Sequence, residues 1–296
     1  MIDYKLLEAL ALVVEEGGFE KAARKLFLTQ SAISQRIKML EEAVGQILLT
    51  RTTPPSATST GLSFLAHYRK VKELENDLPP ITYQNATHHQ PTFAIGVNAD
   101  SLATWFLDAV EEVVRSENLL LDIHVDDQEE TQKLLLTGQV CGCISTHSKP
   151  IQGCRVAKLG TIEYGLYCTP SFAGQWFADG FQIDNNNPAP IIRFNRKDHL
   201  HSYFFNLLLG ATPDLLPTFF VPSSEKFVDC ILRNLCYGLI PEQQSKALYN
   251  TGQLIDLAPS TKLPLFLYYH HWNLQSRTMG IFTRKFLAAA ATILRQ

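Results

Sequence analysis

The chain has 296 residues, 46% of them hydrophobic and 19% charged, with a formal net charge of −3. That is ordinary globular composition, long enough for two or three domains, and it excludes binding to nucleic acid through bulk positive charge. No apolar run approaches the ~18 residues of a membrane span, and Met-Ile-Asp-Tyr-Lys runs straight into an amphipathic pattern without a signal-peptide core, so a cytoplasmic protein with no membrane partner is expected.

Three short helices are predicted at the start. Leu6, Leu10 and Val13 recur at helical spacing until Gly17-Gly18 stop the first. Phe19, Ala22, Ala23 and Leu26 give the second one apolar face, and its small alanines allow close approach by a neighbour. Thr29 sits where an N-cap belongs. Beyond it Ile33, Ile37, Leu40 and Val44 form the core-facing stripe of a third helix.

The other side of that third helix carries Gln30, Ser31, Ser34, Gln35 and Lys38, flanked by Arg36. Ser and Gln give up helix propensity, but each both donates and accepts hydrogen bonds. Such groups suit base edges and phosphates; the plainer alternative is a polar surface. Charge is segregated here. Residues 1 to 60 hold seven Lys/Arg and seven Asp/Glu, yet every charge between positions 21 and 40 is positive. Glu41 and Glu42 are read as the end of the basic face.

After Gly45, "QILLTRTTPPSATSTG" reads as a short apolar strand, a Pro-Pro turn and a Thr/Ser-rich return. This is a two-stranded wing, with Arg51 at its tip or flank in reach of a phosphate or the minor groove. A longer helix follows from Ser59 to Leu78. Phe64, Val71 and Leu78 lie seven apart, and Leu74 adds the alternate position of a short heptad seam. Pro79-Pro80 end it, and "ITYQNATHHQP" is a polar linker in which His88-His89 read as solvated residues before they read as metal ligands.

From residue 92 the texture becomes alternating strands and helices, an α/β region. "TFAIGVN", "LLLDIHV", "CGCIST", residues 155–168, "PIIRF", "TFFV", "CYGLI" and "LFLYYHH" are predicted strands. Cysteines 141, 143, 154, 168, 230 and 236 match no zinc or C-x-x-C spacing and read as reduced core thiols. No metal or cofactor is expected.

The segment Phe19 to Arg51 resembles the winged helix-turn-helix of LysR-type transcriptional regulators. The family pattern F-x-x-A-A-x-x-L-x-x-[ST]-Q-x-A-[VI]-S-x-x-I-x-x-L-E-x-x-x-G-x-x-L-[FL]-x-R is filled by Phe19, Ala22, Ala23, Leu26, Thr29, Gln30, Ala32, Ile33, Ser34, Ile37, Leu40, Glu41, Gly45, Leu48, Leu49 and Arg51. Further stretches, "GQILLTRTTPP", "VNADSLATWFL" and "SSEKFV", resemble the ArgP/LysG branch. Its members respond to lysine and arginine and control genes for export or metabolism of basic amino acids. Residues 145 to 220 carry little of the branch's pattern.

The resemblance implies a multidomain α+β and α/β fold. Residues 1–58 would form a winged helix-turn-helix and 59–90 a dimerisation helix and linker. Residues 91–296 would form a two-lobed effector domain of periplasmic-binding-protein type, with lobe I about 91–162 and 265–296 and lobe II about 163–264. The implied partners are double-stranded DNA at a pseudo-palindromic operator, further copies of the chain as a dimer or dimer of dimers, and RNA polymerase, with a nucleoid-associated location. Thr29, Gln30, Ser31, Ser34 and Gln35 are candidates for base or sugar-phosphate contact. Arg36, Lys38 and Arg51 are candidates for phosphate contact.

An effector cleft between the lobes is expected near strand ends and helix N-termini. "NADSLATW" puts Asp100 and Ser101 at such a junction. Ser101 and the backbone N–H groups after it suit an α-carboxylate, while Asp100, Asp126 and Asp127 suit a cationic group. Thr146, Ser223, Ser224 and Glu225 occupy comparable junctions. In the plainer reading, Asp100 and Ser101 only cap a helix and Asp126, Asp127 and Glu129 only solvate one. The expected effector is L-lysine or L-arginine. Alternatives are a regulator of another amino acid, an aromatic acid or a redox signal, an effector-free architectural DNA binder and, more remotely, a hydrolase. The last lacks a G-x-S-x-G elbow, an H-E-x-x-H motif and a P-loop.

Overall fold

The computed structural model describes residues 2–78, 90–126, 131–184, 187–213 and 216–296. Helices α1 (Tyr4–Glu15), α2 (Phe19–Lys25) and α3 (Gln30–Val44) pack their apolar stripes into one core, in which Leu7, Leu10, Val13, Ala22 and Ile33 are fully buried. Asp3 caps α1 by accepting from the Lys5 amide at 2.9 Å. Thr29 caps α3 by accepting from the Ala32 amide at 3.2 Å. Strands β1 (Leu49–Thr50) and β2 (Ser56–Ala57) pair antiparallel as the wing.

The next helix, α4 (Ser59–Glu75), starts hard against that wing. A methyl group on Gly61 would lie 2.1 Å from the Leu48 carbonyl oxygen, so only glycine permits the approach. The helix stops at Glu75, short of the predicted Leu78. Asp77 instead turns to accept the backbone N–H groups of Arg277 at 2.5 Å and Thr278 at 3.3 Å. The heptad seam is also corrected in part. Phe64 packs on the helix-turn-helix core, whereas Leu74 and Leu78 stay 40% and 62% exposed.

The rest of the chain follows a strand-helix rhythm. Its first part is β3 (Thr92–Asn98), α5 (Ala99–Thr104), α6 (Phe106–Ser116), β4 (Leu120–Asp126), α7 (Thr131–Leu136), β5 (Gly142–Ser145) and β6 (Cys154–Cys168). Then come α8 (Pro170–Trp176), β7 (Ile191–Arg193), α9 (Leu200–Leu209), β8 (Thr218–Phe220), α10 (Ser224–Leu232), β9 (Gly238–Pro241), α11 (Glu242–Asn250), β10 (Ile255–Asp256), β11 (Leu263–Trp272) and α12 (Arg277–Ile293). The main sheet has the order β10-β6-β11-β5-β3-β4, with β9 also paired to β6.

Strand β3 runs parallel to β4 and β5, while β11 runs antiparallel to β5 and β6. One long strand serves two sets of partners: Cys154–Tyr164 of β6 pairs with β11, and Tyr164–Cys168 pairs with β9 and β10. Strands β7 and β8 form a parallel pair of their own. Aromatic side chains fill the core under α12, where Phe282 stacks on Phe93 at 3.9 Å and Phe286 on Trp105 at 5.9 Å.

Helix α4 also touches the effector lobes. Arg69 bonds to Glu15 of α1 at 3.1 Å and to the Thr137 carbonyl after α7 at 3.4 Å. Glu73 accepts from the Ser276 hydroxyl at 3.2 Å. Gly138, at φ +73°, abuts Ala66 so closely that a Cβ would come within 2.6 Å of the Ala66 Cα. A side chain on α4 therefore links the DNA-binding core to the effector domain.

Candidate nucleic-acid interface and effector cleft

Burial of Ile33, Ile37 and Leu40 forces the opposite face of α3 outward. Thr29, Gln30, Ser31, Ser34, Gln35 and Lys38 are all exposed there, Arg36 is half-buried at its edge, and Arg51 is exposed just past β1. Ser31 bonds to the capping Thr29 hydroxyl at 2.9 Å, which orders the helix entry. Much of the basic character is paired. Lys25 meets Glu16 at 2.7 Å, Arg24 meets Glu20 at 3.7 Å and Lys38 meets Glu42 at 3.6 Å. Such surface pairs are weak, so a DNA phosphate can replace the carboxylate at little cost. Glu41, at the end of the basic face, also has a structural task. Its carboxylate accepts the amides of Leu48 at 2.8 Å and Leu49 at 3.2 Å and so pins the wing to α3.

A cavity of about 270 Å³ opens at the carboxyl ends of β3, β4 and β5, between them and the segment from Phe194 to Tyr203. Ligands of open α/β sheets bind at such strand ends, and the volume lies near the lower limit for ligand pockets, about 300 Å³. Asp100, Asp126 and Thr146 line it. Tyr164 donates to one Asp100 oxygen at 2.6 Å and Ser224 to the other at 2.5 Å. The Asp100 carboxylate thus joins α5, β6 and α10 across the cleft.

The other candidates stand apart from the wall. Ser101 is fully buried beneath it. Ser223 precedes α10 and makes no side-chain cap bond, Ser224 is buried with its hydroxyl given to Asp100, and Glu225 is exposed outside the cavity. Asp127, like Glu129 and His88-His89, lies outside the described residues.

Sequence reasoning gave several wall residues no role, Asn98 at the Asp100 junction among them. Asn98 is 2% exposed, lines the cavity, and neither end of its amide has a hydrogen-bond partner among the described residues. A buried amide with no partner is costly, which makes Asn98 a candidate for a ligand-facing group. Its sequence signal was available: it occupies an N-cap position that an Asn ordinarily uses. Lys197, His147 and His199 also line the cavity, so the wall carries both signs of charge rather than carboxylates alone. A mixed wall suits a zwitterion. His201 holds the far side: burial pushes its pKa down to about 4, and the Leu239 amide donates to its Nε2 at 3.3 Å. Asp198 fixes the loop before it by accepting the amides of Phe194 and Leu200 at 3.1 and 3.0 Å.

Three of the buried thiols are poorly suited to redox sensing. Burial pushes Cys143, Cys168 and Cys236 each up to about 12, so none is a ready thiolate at neutral pH.

Residues 4–62 match the model of the bacterial regulatory helix-turn-helix protein family, lysR family. The HTH-type transcriptional regulator ArgP of Pseudomonas fluorescens is 39% identical over 293 residues, covering 98% of both chains. ArgP of Vibrio vulnificus is 38% identical over 93% of this chain and 92% of its own. Among solved structures, ArgP from Mycobacterium tuberculosis superposes with a TM-score of 0.86 at 34% identity, over 100% of this chain and 99% of that one. Full-length LysG from Corynebacterium glutamicum with bound effector Arg gives 0.75 at 29% identity, over all of both chains. The chain therefore belongs to the lysR family of helix-turn-helix proteins: it is a DNA-binding transcriptional regulator, not an enzyme.

Proposed function

We propose that this regulator senses L-lysine or L-arginine in the cleft at Asp100 and controls genes for export or metabolism of basic amino acids. The observation that supports this most is the Asp100 carboxylate, held at the cavity wall by Tyr164 and Ser224, in a chain 29% identical to LysG solved with arginine. In this reading Asp100 and Asp126 receive the effector's cationic groups, and Asn98 and Lys197 its α-carboxylate. A cation entering the cleft competes with the Tyr164 and Ser224 hydroxyls for Asp100, so binding alters the bonds that join the lobes. The division into residues 1–58, 59–90 and 91–296, with lobes meeting along β6 and β11, belongs to the same proposal.

On the DNA side, Gln30, Ser31, Ser34 and Gln35 read bases or the sugar-phosphate edge from the major groove, with Thr29 fixing the helix start. Arg36, Lys38 and Arg51 contact phosphates. The exposed Leu74 beside Val71 supports pairing through α4 with a second copy, which sets two recognition helices on a pseudo-palindromic operator. Assembly as a dimer of dimers, contact with RNA polymerase and a nucleoid-associated, cytoplasmic location follow from that role. Arg69, Glu73 and Asp77 of the α4 segment carry the signal from the lobes to the DNA-binding core.

A thermal-shift panel of the twenty amino acids tests the effector. At 100 times its dissociation constant a ligand stabilises its domain by about 2.7 kcal/mol. Lysine and arginine should raise the transition temperature and the acidic and aromatic amino acids should not. A shift confined to another class would overturn the assignment.

A further inference from the structure

A second cavity, of about 300 Å³, lies between the ends of β6 and β11 and the start of α12. It is remote from the effector cleft: Tyr164 of β6 lines that cleft and Arg155 lines this cavity, nine residues or about 30 Å of strand away. Arg155 and His271 stand directly opposite each other in the antiparallel ladder, so their side chains share a face. That face is turned to α12, because Tyr269 stacks on His271 at 5.2 Å and meets Phe286 of α12 at 5.2 Å. From α12 come Thr283 and Arg284.

The charge on this wall is one-sided. Two arginines line it and, among the described residues, no Asp or Glu does. Neither Arg155 nor Arg284, both exposed, has an ion-pair partner among the described residues. Two arginines lining one hollow, with Thr283 and Gln275 as further hydrogen-bonding groups, suit the chemistry of an oxyanion, which accepts paired N–H donors. Trp272 closes the cavity on one side, and Lys70 of the linker helix α4 sits over its ring at 5.6 Å. The neighbouring Ser276 bonds to Glu73 of the same helix.

We propose that this cavity is a second ligand site, for a small oxyanion of the phosphate or dicarboxylate class, held by Arg155 and Arg284 against the contact between linker helix and effector domain. An anion there bears on the ring that supports α4, and so gives the regulator an input separate from the cleft.

The test uses the full chain at constant ionic strength, titrated with inorganic phosphate or succinate and with chloride as control. Tryptophan fluorescence is the readout, since Trp272 lines the cavity. Phosphate or succinate, whichever is the source of the anion, should give a saturable change that chloride does not. R155Q/R284Q should weaken that binding at least tenfold while keeping its melting temperature without anion and its response to lysine and arginine. D100N should leave the anion response intact, and Trp272→Phe should remove the fluorescence signal while calorimetry still detects binding. No saturable response to either anion would overturn the proposal. So would an unchanged response in R155Q/R284Q, which would put the anion elsewhere, for example on the basic face of α3.

Discussion

Replacing Glu73 with Gln should remove a pH dependence of stability that arises at the contact between α4 and the effector domain. Glu73 is 8% exposed and accepts from Ser276 at 3.2 Å and from Asn76 at 3.4 Å. Burial pushes its carboxyl up from 4.5 to about 7; Asp77 adds to the rise, and the two hydrogen bonds oppose it. Between those pH values the folded chain holds a proton that the unfolded chain has released. The contact is therefore most stable below pH 4.5, weakens as pH rises, and levels off above about 7. At about 1.4 kcal/mol per pH unit, ionised Glu73 costs about 3 kcal/mol. Glu73→Gln keeps an acceptor for Ser276 and has nothing to ionise. In urea denaturation the variant should exceed the parent by less than about 1 kcal/mol near pH 5 and by up to about 3 kcal/mol at pH 8. Hydrogen exchange along α4 should report the same difference locally. An equal gap between the two proteins at pH 5 and at pH 8 would refute the reasoning.

Two further predictions concern DNA. Ser34→Ala combined with Gln35→Ala removes hydrogen bonds to base edges worth roughly 1–3 kcal/mol per well-made pair. Operator affinity by gel shift should fall at least tenfold with an unchanged salt slope, and an intact footprint would remove these residues from the reading face. Arg51→Ala should weaken binding to specific and random DNA alike and lower the salt slope by about 1; an unaltered slope would show that Arg51 touches no phosphate.

The DNA-binding half was legible because its signals are local. Thr29 caps and Ile33, Ile37 and Leu40 repeat at helical spacing, so the exposed face of α3 follows from the core without knowledge of the rest of the chain. The bond from Glu41 to the wing was not legible because its partners, Leu48 and Leu49, lie across a turn and are reached only after the wing folds back. The same limit governs the cleft. Asp100 and Asp126 were visible at strand ends, since a parallel strand ends where its ligand face begins. Tyr164, Lys197 and His147 come from distant segments and share the wall with Asp100 only through the crossing of β6. Ser224 was found at a helix start, but its role is to orient Asp100, which spacing cannot convey. The end of α4 depends on Asp77 finding the N-terminus of α12, 200 residues further along the chain.

Calorimetric titration of arginine and lysine into the parent protein and Asp100→Asn tests the central claim most directly. Both amino acids should bind the parent saturably at one site per chain. Losing a charged hydrogen bond costs about 1.5–3 kcal/mol, so Asp100→Asn should bind at least about tenfold more weakly while folding and non-specific DNA binding persist. Equal affinity in the two proteins, or no binding of either amino acid to the parent, would contradict a basic-amino-acid sensor built on Asp100.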